Sequence, residues 1–220
     1  KRFQKYANQM KTLPKYQYKA STRDYLISLA YFPNFIKLLD TSNKPYEALV
    51  NWLLVNGKFI RSDEIRLPTI KEISSLIGID QTKVSKYFKL IYDDIFELNL
   101  SQPHLFKKEG QILCFLSFTY FEQCCTFSIG MDAVPRIGEH LEFFFIKAKL
   151  GCSGYYIHNV YHDIECTGHS ILINFSTEAP NNYFNLLKEK AYLNNAISFR
   201  DLINKECELK ETLIRLYRNL

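Results

Sequence analysis

Residues 69–89 of this 220-residue chain carry local signals that fix the end of one helix and the start of the next. Thr69 is followed three residues later by Glu72, which is the spacing of a capping box at a helix N-terminus. Gly78 stands where that helix would end, because glycine adopts the left-handed backbone of a helix C-terminus at least cost. Asp80 is a residue type that caps a following helix. The segment therefore predicts two helices joined by a short turn.

The apolar residues of this segment have the spacing that lets two short helices pack against each other. A stripe follows one face of the first helix, one residue lies in the turn, and the second helix presents two residues one turn apart. The side chains expected to face inward are Ile70, Ile73, Leu76, Ile77, Ile79, Val84 and Phe88, with Tyr87 beside them.

The outward face of the second helix is polar and contains no acidic residue before Asp93 and Asp94. Glutamine can pair with adenine edges, lysine can reach guanine acceptors or phosphates, and serine and threonine can contact either. The candidate DNA-binding residues are Gln81, Thr82, Lys83, Ser85, Lys86 and Lys89.

This stretch resembles the helix-turn-helix of bacterial transcriptional regulators. Gly78, Ile79 and Val84 match the pattern, and Ser74 occupies the small position where alanine is commonest. The resemblance covers residues 69–89 and indicates a module, and it extends to no family over the whole chain. It implies a recognition helix in the major groove of duplex DNA and a dimer, since one such helix reads only a short half-site. Helix-turn-helix geometry also occurs in proteins that do not bind DNA, so an interaction module for a protein or RNA partner is the alternative.

The positive charge is concentrated at the start of the chain. Residues 1–50 contain nine Lys or Arg and three Asp or Glu, a net charge of +6, whereas the remaining residues have a net charge of −1. A basic segment suits a polyanionic partner, because cations near phosphates release condensed counterions. A solvated tail is the other interpretation.

The apolar pattern predicts an α+β protein. Residues 1–20 are expected to be a flexible lead-in, and residues 21–108 a helical domain with helices over Thr22–Leu39 (interrupted at Pro33), Pro45–Gly57 and about Asp80–Leu98. Residues 109–178 are expected to form a small antiparallel sheet or barrel, whose first strands could supply a wing, and residues 179–220 further helices. Those helices would pack on the sheet or contact a second copy. The predicted strands are Gln111–Tyr120, Gln123–Ile129, His140–Lys147, Tyr155–Tyr161 and Ser170–Phe175.

Other candidate sites are weaker. The run from Cys152 to His169 contains histidines and cysteines, but no Cys-x-x-Cys occurs, and His158 and His162 would lie about 13 Å apart along one strand. Asp163 and Glu165 share a strand face without a partner that would position them. We therefore expect no metal site, no cofactor and no catalytic residue.

The predicted function is that of a DNA-binding transcriptional regulator. Six cysteines do not make a disulfide-dense chain, no apolar run is long enough for a membrane span, and no secretory signal is evident, so we expect a cytoplasmic protein without a membrane partner. A small-molecule or protein effector could bind the β domain, and small barrels also bind RNA.

Overall fold

A computed structural model describes residues 18–60, 66–121, 123–165, 168–180, 182–199 and 206–217. Most of the expected lead-in, residues 1–17, lies outside these ranges. The chain divides into two compact units, the first ending at Ala179 and the second beginning at Pro180.

The first unit begins with five helices, α1 (Thr22–Tyr31), α2 (Pro33–Ile36), α3 (Glu47–Ile60), α4 (Ile70–Ile77) and α5 (Gln81–Ser101), followed by a 3-10 turn at Pro103–Phe106. The predicted interruption at Pro33 is confirmed, because this proline opens α2. The helix expected to stop near Gly57 continues three residues further, to Ile60. A Cβ atom at Gly57 would lie 3.5 Å from the carbonyl oxygen of Ala30, which is an ordinary van der Waals distance between α3 and α1.

Five strands form one curled, half-barrel sheet in the order β2-β1-β5-β4-β3. Their bounds are β1 Ile112–Tyr120, β2 Gln123–Met131, β3 His140–Glu142, β4 Gly154–Glu165 and β5 Gly168–Ser176. The mixture of helices and sheet confirms the α+β class. The expectation of a purely antiparallel sheet is wrong, because β1 and β5 pair in parallel.

The predicted strand His140–Lys147 is also wrong beyond its first three residues. After β3 the chain turns into a short helix, α6 (Phe144–Leu150). An alternating strand would expose every second residue of this apolar run, whereas the helix buries both Phe145 and Ile146, followed by Ala148 and Leu150. Side-chain periodicity over so short an apolar run does not distinguish the two structures.

The helices and the sheet of the first unit share one hydrophobic core, and the expected boundary at residues 108–109 falls inside this unit. Aromatic rings join the two parts. Phe96 of α5 contacts Phe127 of β2 at 5.3 Å between ring centroids, and Phe127 contacts Phe145 of α6 at 5.0 Å.

Polar side chains fix the helices to this core. The Ser28 hydroxyl donates to the Phe144 carbonyl oxygen (3.0 Å), and the buried Tyr92 hydroxyl donates to the Phe145 carbonyl oxygen (2.7 Å). Together they hold the backbone of α6 against α1 and α5.

The second unit contains α7 (Asn182–Leu193) and α8 (Glu206–Tyr217). Ala191, Ile197, Leu209 and Leu213 form its small buried cluster, whereas Leu216 is exposed. In the described part of the chain, no helix combines the length and hydropathy that a membrane crossing requires.

Candidate nucleic-acid interface

The start of α4 is fixed by the capping box that the sequence predicts. The Thr69 hydroxyl accepts a hydrogen bond from the Glu72 backbone N–H (3.2 Å), and the Glu72 carboxylate accepts one from the Thr69 backbone N–H (2.6 Å). These bonds satisfy donors that a helix N-terminus otherwise leaves without partners.

The turn between α4 and α5 is held at three residues. Gly78 has a φ of +69° and its N–H donates to the Ser74 carbonyl oxygen, as predicted for a helix end. Asp80 caps α5 by accepting from the Thr82 N–H (2.8 Å). Ser74 adds a bond that alanine could not make, because its hydroxyl donates to the Ile79 carbonyl oxygen (2.6 Å). The turn therefore fixes the direction in which α5 leaves it.

The inward face of the helix pair is largely as predicted. Ile73, Val84 and Phe88 are fully buried, and the other inward positions are half-buried against the core, namely Ile70, Ile77, Ile79 and Tyr87. The prediction for Leu76 is wrong, since this side chain is 71% exposed. At about 100° per residue, Ile70, Ile73 and Ile77 share an arc of about 60°, whereas Leu76 lies about 100° from Ile77.

All six candidate DNA-binding residues lie together on the first nine residues of α5. Gln81, Thr82, Lys83, Lys86 and Lys89 are exposed, and Ser85 is half-buried. At about 100° per residue, Thr82, Lys86 and Lys89 lie within about 60° of one another on the side opposite Val84. The helix therefore buries one side and presents amide, hydroxyl and ammonium groups on the other.

Two acidic residues of α4 and the turn, Glu72 and Asp80, form helix caps. Backbone N–H donation from Thr69 lowers the pKa of the Glu72 carboxyl, and donation from Thr82 lowers that of Asp80. Glu72 also lies 3.7 Å from the Arg66 guanidinium. Each carboxylate thus accepts a backbone hydrogen bond that fixes the start of a helix.

The lysines of the face differ in their surroundings. Lys89 forms an ion pair with Asp93 one turn further along α5. Lys83 and Lys86 form no ion pair within 4 Å among the residues that the structure describes, and neither does Lys71 on α4. Lys71 is exposed, and the sequence-based prediction missed it because only the second helix was considered there.

Asp94, another acidic residue of α5, lies beside the residues that precede α3. It accepts a hydrogen bond from the Tyr46 hydroxyl and lies 3.4 Å from the Lys44 ammonium. Burial of Tyr46 and its bond to this carboxylate raise the pKa of the phenol well above its usual range. Lys44, one of the cations counted in the basic segment, is therefore neutralised by this contact.

Two arginines flank a shallow cleft beside the start of α4. The cleft has a volume of about 340 Å³ and is lined by Arg23, Leu26, Arg66, Leu67, Pro68, Thr69 and Ile70. Arg23 belongs to the basic N-terminal segment, and Arg66 was missed because it precedes the motif. Lys19 and Lys37 are exposed, whereas the basic residues before Lys19 lie outside the described ranges.

The histidines and cysteines of the sheet do not form a multi-ligand cluster. Among the residues with described positions, no three His, Cys, Asp or Glu side chains converge on one point. The His158 Nε2 lies 2.8 Å from the Glu178 carbonyl oxygen. Of the adjacent pair, Cys125 is buried and Cys124 is exposed.

Comparisons of the chain with protein families, characterised proteins and solved structures find no match. The candidate interface is supported by its geometry and its charge.

Proposed function

We propose that this chain binds duplex DNA through the N-terminal half of α5 and acts as a transcriptional regulator. The observation that carries the proposal is the exposed face of residues 81–89, which combines three lysines with amide and hydroxyl groups and contains no acid. The basic residues Lys71, Arg66 and Arg23 lie on neighbouring elements.

The chemistry of this face suits a nucleic-acid groove. Lys83 and Lys86 would contact phosphates or guanine acceptors, and the Gln81 amide can pair with an adenine edge. Thr82 and Ser85 would donate to phosphates or base edges, Ser85 with the less accessible hydroxyl.

The length of α5 supports a rigid presentation of this face. A helix of 21 residues spans about 30 Å, and buried residues follow one side of it from Val84 and Phe88 to Ile95 and Asn99. The exposed side is therefore held by core contacts along the length of the helix and needs little ordering on binding.

The position of the β1–β2 pair supports a winged arrangement within the proposal. Phe96 and Asn99 of α5 contact Phe127 and Ser128 of β2 in the same order along both elements, so the two run in the same direction. The connection from β1 to β2 then lies toward the N-terminal end of α5. Tyr120, Phe121 and Gln123 flank it and carry no positive charge, so we assign the phosphate contacts to the helices.

Fluorescence anisotropy with labelled duplex DNA at several salt concentrations tests the proposal. Lys83→Ala/Lys86→Ala should weaken binding and reduce the slope of log K against log salt by about 0.9 for each phosphate that is no longer neutralised. Lys107→Ala/Lys108→Ala removes the same charge from exposed lysines before β1 and should change the affinity much less. Absence of duplex binding by the intact chain at low salt, or equal losses of affinity in both double variants, would contradict the proposal.

One observation favours the alternative of a protein-interaction module. Leu76 of α4 and Val55 of α3 are 71% and 66% exposed, so each apolar side chain is accessible to a protein partner. A photo-crosslinking residue at position 76 that captures a protein, together with unchanged behaviour of the lysine double variant, would favour this function over DNA binding.

A further inference from the structure

Two histidines meet across the hairpin formed by β4 and β5. The Nδ1 atom of His162 lies 3.0 Å from the Nε2 atom of His169, and both side chains are exposed. Their rings are nearly parallel, with an interplanar angle of 20° and 5.2 Å between centroids.

The register of the hairpin produces this contact. Ile164 pairs with His169 and His162 pairs with Ile171, so the two histidines are diagonal neighbours on one face of the sheet. Ile171 and Ile173 are fully buried. A slip of one residue would turn them toward solvent, so the core fixes the register that brings the imidazoles together.

We infer that His162 and His169 form a binding site for a borderline divalent transition-metal ion such as Zn²⁺, Ni²⁺ or Cu²⁺. Nitrogen ligands at about 2.0–2.1 Å from a metal lie about 2.9–3.4 Å apart, depending on whether the angle between them is square-planar or tetrahedral. The observed separation of 3.0 Å falls in this range. Rotation of both side chains would direct the two lone pairs to one point.

The protonation of the two rings is compatible with metal binding. In the metal-free pair, one of the facing nitrogens donates its hydrogen to the other. A bound metal would replace that hydrogen bond, and each neutral imidazole would carry its proton on the nitrogen facing away, Nε2 in His162 and Nδ1 in His169. No net proton release is required from two neutral rings.

The site differs from the zinc cluster that the spacing of cysteines and histidines argued against. It uses two ligands from different strands, and water would complete the coordination because no third His, Cys, Asp or Glu side chain joins them in the described part of the structure. Imidazole ligands favour Cu²⁺ over Ni²⁺ and Zn²⁺ and bind Mg²⁺ and Ca²⁺ poorly. Because the protein supplies only two ligands, we expect the metal ion to bind reversibly.

Isothermal titration of the tag-free chain with Zn²⁺, Ni²⁺ and Mg²⁺, in the absence of DNA, tests the inference. One equivalent of Ni²⁺ or Zn²⁺ should bind and Mg²⁺ should not. His162→Ala and His169→Ala should each weaken binding at least tenfold, and the double variant should resemble either single variant, because the two rings act as one chelate. His104→Ala and His140→Ala, which remove other exposed histidines, serve as matched controls and should retain the affinity.

Electron paramagnetic resonance of the Cu²⁺ form gives a second measurement that does not depend on affinity. The hyperfine structure of the intact chain should show two equatorial nitrogens, and that of His169→Gln should show one. Because residue 169 is exposed, this substitution should leave the fold intact. Unchanged spectra, or equal losses of affinity in the His104→Ala control, would overturn the assignment.

Discussion

The side-chain amide of Asn99 bonds both backbone polar groups of Ser128. Its Nδ2 donates to the Ser128 carbonyl oxygen (2.7 Å), and its Oδ1 accepts from the Ser128 N–H (2.8 Å). Ser128 lies on β2, at one edge of the sheet, where backbone groups lack a neighbouring strand. Both residues are buried, with 3% and 7% of their surfaces exposed. A side chain of α5 therefore takes the place of a strand at this position.

Asn99→Ala should lower the free energy of unfolding by about 2–4 kcal/mol, because it leaves a buried donor and a buried acceptor of Ser128 without partners. Urea denaturation followed by circular dichroism would measure the change. Asn159→Ala removes an amide from an exposed position on β4 and should cost less than about 0.5 kcal/mol. Equal effects of the two substitutions would contradict this role for Asn99.

Two glycine substitutions should change stability with opposite signs. Gly78→Ala should destabilise the fold by about 1 kcal/mol, because its φ of +69° is strained for alanine although a side chain would meet no atom within 4 Å. Gly57→Ala should stabilise it by about 0.5–1 kcal/mol, since the residue is helical and the added carbon would make ordinary contacts with Ala30. The thermal unfolding midpoints of both variants would test the prediction. Midpoints that shift in the same direction in both variants would refute it.

Asp93→Asn should strengthen binding of duplex DNA if the proposed interface is used. The substitution removes the carboxylate that pairs with Lys89 and frees this ammonium for a phosphate. We expect a severalfold gain in affinity at low salt and a salt slope that is steeper by up to about 0.9. Glu97→Gln removes an equal charge at an exposed position one turn further from the face and serves as the control. An equal gain in both variants would indicate a general charge effect.

Stability should fall as the pH rises above about 9, the range in which free thiols of the unfolded chain lose their protons. Burial raises the pKa of the Cys125 thiol to about 12, so the unfolded state deprotonates first and each pH unit costs up to about 1.4 kcal/mol. Burial also raises the pKa of Tyr92, which extends the loss of stability above pH 10. Urea midpoints at pH 8, 9 and 10 should decline less steeply in Cys125→Val than in the intact chain. Parallel declines would contradict the assignment.

Local signals explain why the α4–turn–α5 geometry could be predicted from the sequence. The Thr69 capping box, the left-handed Gly78 and the Asp80 cap each depend on residues within one or two turns of each other. The ion pair of Lys89 with Asp93 also follows from a spacing of four residues on a helix and was open to prediction.

Features that depend on distant parts of the chain could not be predicted in this way. The parallel pairing of β1 with β5 joins segments that lie more than 50 residues apart, and nothing in either strand specifies its direction. The helix at Phe144–Leu150 depends on Ser28 and Tyr92, which hold its backbone from other helices. The contact between His162 and His169 requires the register of two strands, whereas the sequence shows only their separation along the chain.

Because the single helix α5 carries both the exposed lysines and the buried core residues, the angle between these two sets of side chains around the helix axis is fixed. Inserting one residue near Leu90 would turn Lys83 and Lys86 by about 100° relative to buried Ile95 and Asn99. A substitution can change an exposed or a buried residue by itself, whereas a change in helix length rotates all the exposed lysines relative to the core residues. Over evolutionary time, the segment between residues 81 and 99 should therefore tolerate insertions and deletions far less than the connection between β2 and β3.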